Sequence, residues 1–363
     1  MTKTAVTKKI LITSGDGIGP EVTAQGVKVL RAVAAQAGMD VTLTECLIGG
    51  AAIDATGDPL PADTWAQAQT ADAILFGAAG GPKWDKGDFY QNPGKGLLKL
   101  RRDLKLFANL RLAKVFESAI DASPIKPERI RGADVLIVRE LTGGIYFGKP
   151  RGRREEDGVQ LALNTMVYRD WEVERIARKA FEIARLRGKR LTSVDKGNAL
   201  EVGRFWRDIV ERIGQEEYPD VALDSLYVDN AAMQIIRDPL QFDTMVMGNM
   251  FGDILSDAAG NLAGSLGMLP SASLGESHAL YEPCHGSAPD IAGQDSANPM
   301  ASILSVAMMF RYSFDRPDLE TRIHDAVNTV LATHRTGDLM AEGKTRVGCS
   351  QMGDLVVQQL EAA

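Results

Sequence analysis

Asp253 and Asp257 lie four residues apart in a stretch with helical patterning after Phe251-Gly252. Residues i and i+4 share a helix face, so both carboxylates project the same way and could share a hard divalent cation. Plain surface acidity fits the same spacing. Asp229, after the strand-like run Leu226 to Val228, could add a third carboxylate but is not diagnostic alone. Lys196 follows Asp195 at the end of an apolar run and precedes Gly197 and Asn198. A partly desolvated amine there could act as a base beside a cation, although most lysines are simply solvated. Tyr146 sits in Thr142-Gly143-Gly144-Ile145-Tyr146-Phe147-Gly148, where flanking glycines could hold a phenol over a cleft or the ring could fill a core. Arg101, Arg111 and Arg139 each flank apolar runs and carry planar forks suited to carboxylates.

The turn Gly15-Asp16-Gly17-Ile18-Gly19-Pro20 follows one apolar run and precedes a helical one, which invites a dinucleotide-binding reading. The third glycine of that fingerprint is replaced by Pro20, so the motif reads as a tight turn and any nucleotide needs another device. His285-Gly286-Ser287-Ala288-Pro289-Asp290-Ile291-Ala292-Gly293 is small, polar and turn-rich. Its backbone N–H groups could approach a pyrophosphate, or it could be an ordinary surface loop. No H-E-x-x-H, P-loop or G-x-S-x-G sequence occurs, which removes the zinc protease, NTPase and serine hydrolase readings.

Short apolar runs alternate with helical patterns, the sequence sign of an α/β architecture with largely parallel pairing. Ile10 to Thr13 reads as a strand, and a helix begins at Pro20, continues through Val27, Leu30 and Val33, and closes at Gly38. Val41 to Leu43, Ile74 to Phe76, Val135 to Val138, Leu191 to Val194 and Met245 to Met247 read as further strands. After Asp170, residues Val173, Ile176, Ala177, Ala180 and Ala184 fall on one helical face. Ligands in open α/β sheets gather at the C-terminal ends of strands, so chemistry is expected there. The mixed charge run Arg151 to Asp157 reads as a solvated loop.

With 363 residues, 45% of them hydrophobic, the chain can build about two packed domains. Lys and Arg total 41 against 48 Asp and Glu, and a net charge of -7 offers no footprint for nucleic acid or an anionic membrane. Cys46, Cys284 and Cys349 are odd in number and far apart, which argues against a disulfide framework and fits a reducing cytoplasm. The polar stretch Met1 to Lys9 lacks the apolar core of an export signal, and no run suits a membrane span.

In order and spacing these pieces resemble the β-decarboxylating dehydrogenases, the family of isopropylmalate, isocitrate, homoisocitrate and tartrate dehydrogenases, nearly end to end. Gly94 to Lys114, Glu140 to Gly148 and Gly267 to Ser273 are most similar to the isopropylmalate branch. The resemblance implies an α/β, two-domain isopropylmalate/isocitrate dehydrogenase-like fold and not a Rossmann fold. One cofactor-side domain would comprise 1–106 plus 264–363, and a central domain with a dimerisation arm would span 107–263. It further implies an active site between the domains and a homodimer with shared active sites, to which Lys196 and Asp229 are donated across the interface.

Carried over by motif, Asp229, Asp253 and Asp257 would hold Mg²⁺ or Mn²⁺, and Arg101, Arg111 and Arg139 would grip a dicarboxylate substrate. Lys196 would take the substrate hydroxyl proton, and Tyr146 would supply the proton that makes the final ketone. Leu97 and Leu98 would line the alkyl pocket, and Asn198 joins Asp229 among the substrate contacts. His285 and Asn298 would lie near adenine and Asp290 near the ribose, with Glu282, Gly286, Ser287, Ala288 and Ile291 completing the cofactor set. A carboxylate at Asp290 accepts hydrogen bonds from a free 2′-hydroxyl and repels a 2′-phosphate, so the expected cofactor is NAD. The expected reaction is oxidative decarboxylation of 3-isopropylmalate to 4-methyl-2-oxopentanoate in leucine biosynthesis. The alternatives are a sister enzyme acting on another 3-substituted malate, tartrate or homoisocitrate, or a silent regulatory subunit. The pattern loosens at Asn92-Pro93-Gly94-Lys95-Gly96, which lacks the family's carboxylate, and at Ala199, where a valine is usual. Both changes imply a larger or differently shaped alkyl pocket. Leu112 stands where the family commonly has proline, which alters local stiffness.

Overall fold

The computed structural model describes residues 7–84 and 92–362. The chain divides into two compact units, one of Met1–Leu106, Phe116–Pro124 and Ala263–Ala363, the other of Phe107–Val115 and Ile125–Leu262. Relative to the bounds expected from sequence, the crossing Phe116–Pro124 belongs with the terminal unit. There Phe116 meets His324 edge-on at 5.9 Å, and the Ser118 N–H donates to Asn328 Oδ1 at 3.1 Å.

In the first unit five strands are hydrogen-bonded in the order Val41–Glu45, Lys8–Gly15, Ala73–Ala78, Ala279–Pro283, Pro270–Leu274. The first four run parallel and the last antiparallel. Ile10, Leu11, Ile12 and Ile74 are buried on both faces, as parallel strands covered by helices must be. The helix Gly19–Gln36 has Pro20 in its first turn and buries Val22, Val29, Leu30 and Val33. It packs against the helices Met300–Phe314 and Cys349–Ala362. Gly38, at φ +63°, takes the left-handed turn that ends it.

The second unit repeats the plan: Ala108–Lys114, Asp134–Glu140, Thr244–Met247, Arg190–Asp195, Ala222–Tyr227, with only the first strand antiparallel to its neighbour. Helices Asp170–Leu186 and Glu201–Glu217 pack together, and Phe181 stacks on Tyr218 at 4.9 Å. Helices Val228–Arg237 and Asn249–Gly260 also pack on one another, yet leave Met233, Ile236 and Ile254 exposed.

Three local expectations change. Tyr227 ends its strand and Val228 opens a helix, so Asp229 lies in a first helical turn and not after a longer strand. Phe251 and Gly252 lie inside the helix that carries Asp253 and Asp257, which already starts at Asn249. The Arg151 to Asp157 charge run is no loop: Gly152–Glu156 pairs antiparallel with Val159–Leu163. Asp157 and Gly158, at φ +51° and +75°, supply the two left-handed residues that a tight hairpin turn needs. No helix among the described residues is long and apolar enough to cross a membrane.

Candidate active site

Asp253 is the centre of a charged cluster in the second unit. Arg139, at the C-terminal end of its strand, donates Nη1 to Asp253 Oδ1, and its Nε and Nη2 reach Asn249 Oδ1 at 2.9 and 2.8 Å. Arg111 from the adjacent strand places Nη2 3.4 Å from the same Asp253 oxygen, while its Nη1 meets Asp257 Oδ1 at 3.0 Å and Ser256 Oγ at 2.8 Å. The Tyr146 hydroxyl donates to Asp253 Oδ2 at 3.0 Å. Two guanidiniums and a phenol therefore face two carboxylates on one helix face. Gly252 permits the approach, since a Cβ there would lie 2.6 Å from Arg139 Cβ. Burial first, and then the Asp253 carboxylate, hold the Tyr146 phenol above its usual value, so at neutral pH it remains a proton donor.

The same cluster is braced from behind by residues to which the sequence assigned no role. Tyr168 accepts the Asn249 N–H at 2.7 Å, and Asn249 Nδ2 donates to the Gly143 carbonyl at 3.2 Å. Glu140, fully buried, accepts the Thr142 N–H and hydroxyl and the Gly143 N–H at 2.9, 2.6 and 2.7 Å. The short helical turn Gly144–Tyr146 is thus pinned at its start, and Gly144 takes φ +76°.

Lys196 follows the strand Arg190–Asp195, and its Nζ lies 2.5 Å from Asp229 Oδ1. Buried Asp195 sets this turn by accepting the Gly197 N–H at 2.7 Å and a two-pronged bond from Arg207 at 2.8 and 3.1 Å. Asn198 and Ala199 are exposed beside it. Among the described residues of the single chain, Asp229, Asp253 and Asp257 do not converge as a three-carboxylate group. The donor set nevertheless fits a hard divalent cation, because Asp253 and Asp257 offer oxygens from one face and contain no soft ligand.

In the first unit the helix Gly94–Asp103 carries Leu97, which packs on the core of Leu11, Ile74 and Leu100, and Leu98, which is exposed. One turn on, Arg101 Nη2 donates to Glu282 Oε1 at 2.5 Å. Glu282, assigned from sequence to the cofactor, is therefore a buried counter-ion of a substrate-assigned arginine. Arg101 Nε is buried with no hydrogen-bond partner, an N–H suited to an incoming carboxylate.

The loop after Glu282 combines a buried bare acceptor with open backbone, features that could hold a nucleotide. His285 Nδ1 faces the Gly286 carbonyl at 2.9 Å and so must carry the proton, leaving Nε2 a bare acceptor, buried and unpartnered. Burial also lowers the His285 pKa, which favours the neutral ring. A Cβ on Gly286 would meet nothing within 4 Å, Ser287 is buried, and Ala288 is held at φ +36°, a strained position for a residue with a side chain. Asp290 is exposed and Ile291 half-buried. The Asn298 amide organises a helix start: Nδ2 donates to Asp338 at 2.9 Å and Oδ1 accepts the Met300 N–H at 3.0 Å. Asp338, overlooked in the sequence, also accepts from Ser265 at 2.5 Å and Thr336 at 2.6 Å and lies close enough to His285 to favour its protonation.

Residues 9–356 match the family model described as isocitrate/isopropylmalate dehydrogenase. The chain is 57% identical to the 3-isopropylmalate dehydrogenase of Chromohalobacter salexigens over 98% of its own length and 100% of the relative's. It is 57% identical to that of Synechococcus elongatus over 98% of both chains. Its fold resembles the crystal structure of an isocitrate dehydrogenase from Methylococcus capsulatus, with a TM-score of 0.85, 34% identity, and coverage of 97% of this chain and 99% of that one. With both units covered from end to end by these relatives, the chain belongs to the isocitrate/isopropylmalate dehydrogenase family.

Proposed function

We propose that the chain catalyses the NAD-dependent oxidative decarboxylation of 3-isopropylmalate to 4-methyl-2-oxopentanoate, the reaction of leucine biosynthesis, as a cytoplasmic homodimer. The observation that carries this reading is the convergence of Arg111, Arg139 and Tyr146 on Asp253, two carboxylate-binding forks and a proton donor around a cation ligand. The relatives, 3-isopropylmalate dehydrogenases, supply the substrate. Three large apolar side chains, Met233, Ile236 and Ile254, are exposed on two helices that pack together, which supports self-association through that face. Asp253 and Asp257 would hold Mg²⁺ or Mn²⁺ with Asp229 of the partner subunit, and the loop around His285 and Asp290 would hold NAD. When bound, NAD accepts the hydride and the cation draws charge from the substrate oxygens.

The chain's own residues then do the rest. The forks of Arg101, Arg111 and Arg139 fix the two substrate carboxylates and so the face of C2 that loses hydride. Lys196 takes the hydroxyl proton as the carbonyl forms. Once carbon dioxide leaves, the electron pair of the broken bond rests in an enolate, and Tyr146 delivers the proton that closes the ketone. Leu97 and Leu98 favour an alkyl group, and the small Ala199 leaves room for a longer one.

The test is NADH formation with Mg²⁺ and 3-isopropylmalate, run beside malate, tartrate, isocitrate, homoisocitrate and a longer 3-alkylmalate. A 3-isopropylmalate optimum is expected. Preference for another acid would move the assignment to a sister enzyme, and silence with all of them would point to a regulatory subunit.

A further inference from the structure

The turn Gly15 to Pro20 lacks the fingerprint for gripping a dinucleotide, yet it touches the loop assigned to one at every level. Its Ile18 N–H donates to the Ser287 carbonyl at 2.8 Å. Gly17, at φ +58°, leaves that contact open, since a Cβ there would lie 2.0 Å from the same carbonyl oxygen. In the first turn of the following helix, Glu21 accepts the Gly293 N–H on Oε1 and the Asp295 N–H on Oε2, the latter at 3.0 Å. Between these anchors Ala288, Ile291 and Ala292 pack against a buried cluster of Ile18, Val22, Ala297 and Cys349.

Two non-glycine residues in left-handed conformation bracket the segment, Ala288 at φ +36° and Asp295 at φ +51°. Such residues persist only where their surroundings over-determine them. Asp295 is locked from the other side, its carboxylate accepting the Ser350 N–H and hydroxyl at 2.7 and 2.8 Å. Glu21, Asp295 and Cys349 could in principle form a metal trio. Both carboxylates, however, already take N–H donors, and burial pushes the Cys349 thiol up to about 12, which keeps its proton on.

We propose that Glu21 is a positioning residue for the dinucleotide, clamping the far end of the His285–Gly293 loop to the helix start while Ile18 clamps the near end. The adenosine-facing backbone is thereby set before ligand arrives, and binding need not order it. The inference rests on the proposed NAD site.

The test uses full-length wild type and Glu21→Gln. Glutamine keeps the shape but presents an amide N–H to one of the two backbone donors. Losing one charge-assisted bond should weaken ADP-ribose binding, read by calorimetry, about tenfold, with an equal rise in KM for NAD. The kcat and the KM for the acid substrate should not move. A second measurement needs no variant: in ligand-free wild type the Gly293 and Asp295 amides should exchange with deuterium slowly. Equal ADP-ribose affinity in wild type and variant, or fast exchange of both amides, overturns the clamp while leaving the NAD reading intact. Failure of wild type to bind ADP-ribose and to reduce NAD overturns the NAD reading, and this inference with it.

Discussion

Lys196 Nζ lies 2.5 Å from Asp229 Oδ1, joining the end of one strand to the first turn of the helix that follows its neighbour. The ammonium holds the Asp229 carboxyl below the usual carboxylate range. The two residues are therefore presented as a pair, while Tyr146, Arg111, Arg139 and Asp253 form a second group. The homodimer with shared active sites proposed above would give that grouping a use.

If Lys196 and Asp229 serve the partner's site, inactive homodimers should complement. Lys196→Met and Tyr146→Phe are each expected to lose about 10²–10⁴-fold in turnover. Co-refolding the two should restore NADH formation, because a mixed dimer then holds one site with both residues intact. No recovery in a mixture shown to contain mixed dimers would place both groups in one chain's site.

Tyr146→Phe should impair the second half of the reaction more than the first. The phenol is held protonated by burial and by Asp253, so its natural task is donation. Supplied with the 2-oxo intermediate and NADH, the variant should reduce it back to the hydroxy acid, oxidising NADH, in preference to decarboxylating it. Unchanged partitioning between reduction and carbon dioxide release would contradict the role.

The α/β alternation was legible because apolar runs such as Ile10–Thr13 and Leu191–Val194 are too short for helices and are followed by amphipathic ones. Boundaries were less so: β-branched Val228 reads as strand but opens a helix, and the charged Gly152–Glu156 strand is exposed along its whole length, with no alternation to read. Residue types capable of chemistry could be picked out, but their partners could not. The Arg139–Asp253 and Arg101–Glu282 contacts join residues 114 and 181 positions apart, and only the strand order brings them together. Tyr168 and Asn249 follow no motif, and Glu140, though it opens the Glu140 to Gly148 segment, has no chemistry to read from sequence, because the work of all three is to hold backbone and each other.

Glu140 makes stability depend on pH. Burial raises its carboxyl above the ordinary value, against the pull of the Thr142 and Gly143 donors and of Arg175. The folded chain thus binds this proton more tightly than the unfolded chain. Its contribution is full below the ordinary carboxylate range and is lost as pH rises through the raised folded value. Glu140→Gln cannot lose a proton there. Urea unfolding from acid to neutral pH should show the variant gaining on the parent as pH rises, and a constant difference would refute the linkage.

Asp290 should set cofactor choice. Replacing the exposed carboxylate by serine removes the repulsion of a 2′-phosphate, and the ratio of kcat/KM for NAD over NADP should fall about tenfold or more. A ratio that stays put would move the discrimination elsewhere in the loop.

Arg101 and Glu282 separate a structural duty from a binding one. Their side chains are 17% and 6% exposed, so Arg101→Met leaves a buried carboxylate uncompensated, at a cost of about 3 kcal/mol in unfolding free energy. Adding Glu282→Gln should recover much of that loss, since a neutral amide needs no counter-ion. Arg101→Lys keeps the charge pair and should fold well, but it lacks the planar fork whose Nε stands buried without a partner. Its KM for the acid substrate should rise while its stability stays near that of the parent. If the lysine variant binds substrate normally, Arg101 serves only to balance Glu282, and the carboxylates of the substrate are held by Arg111 and Arg139 alone.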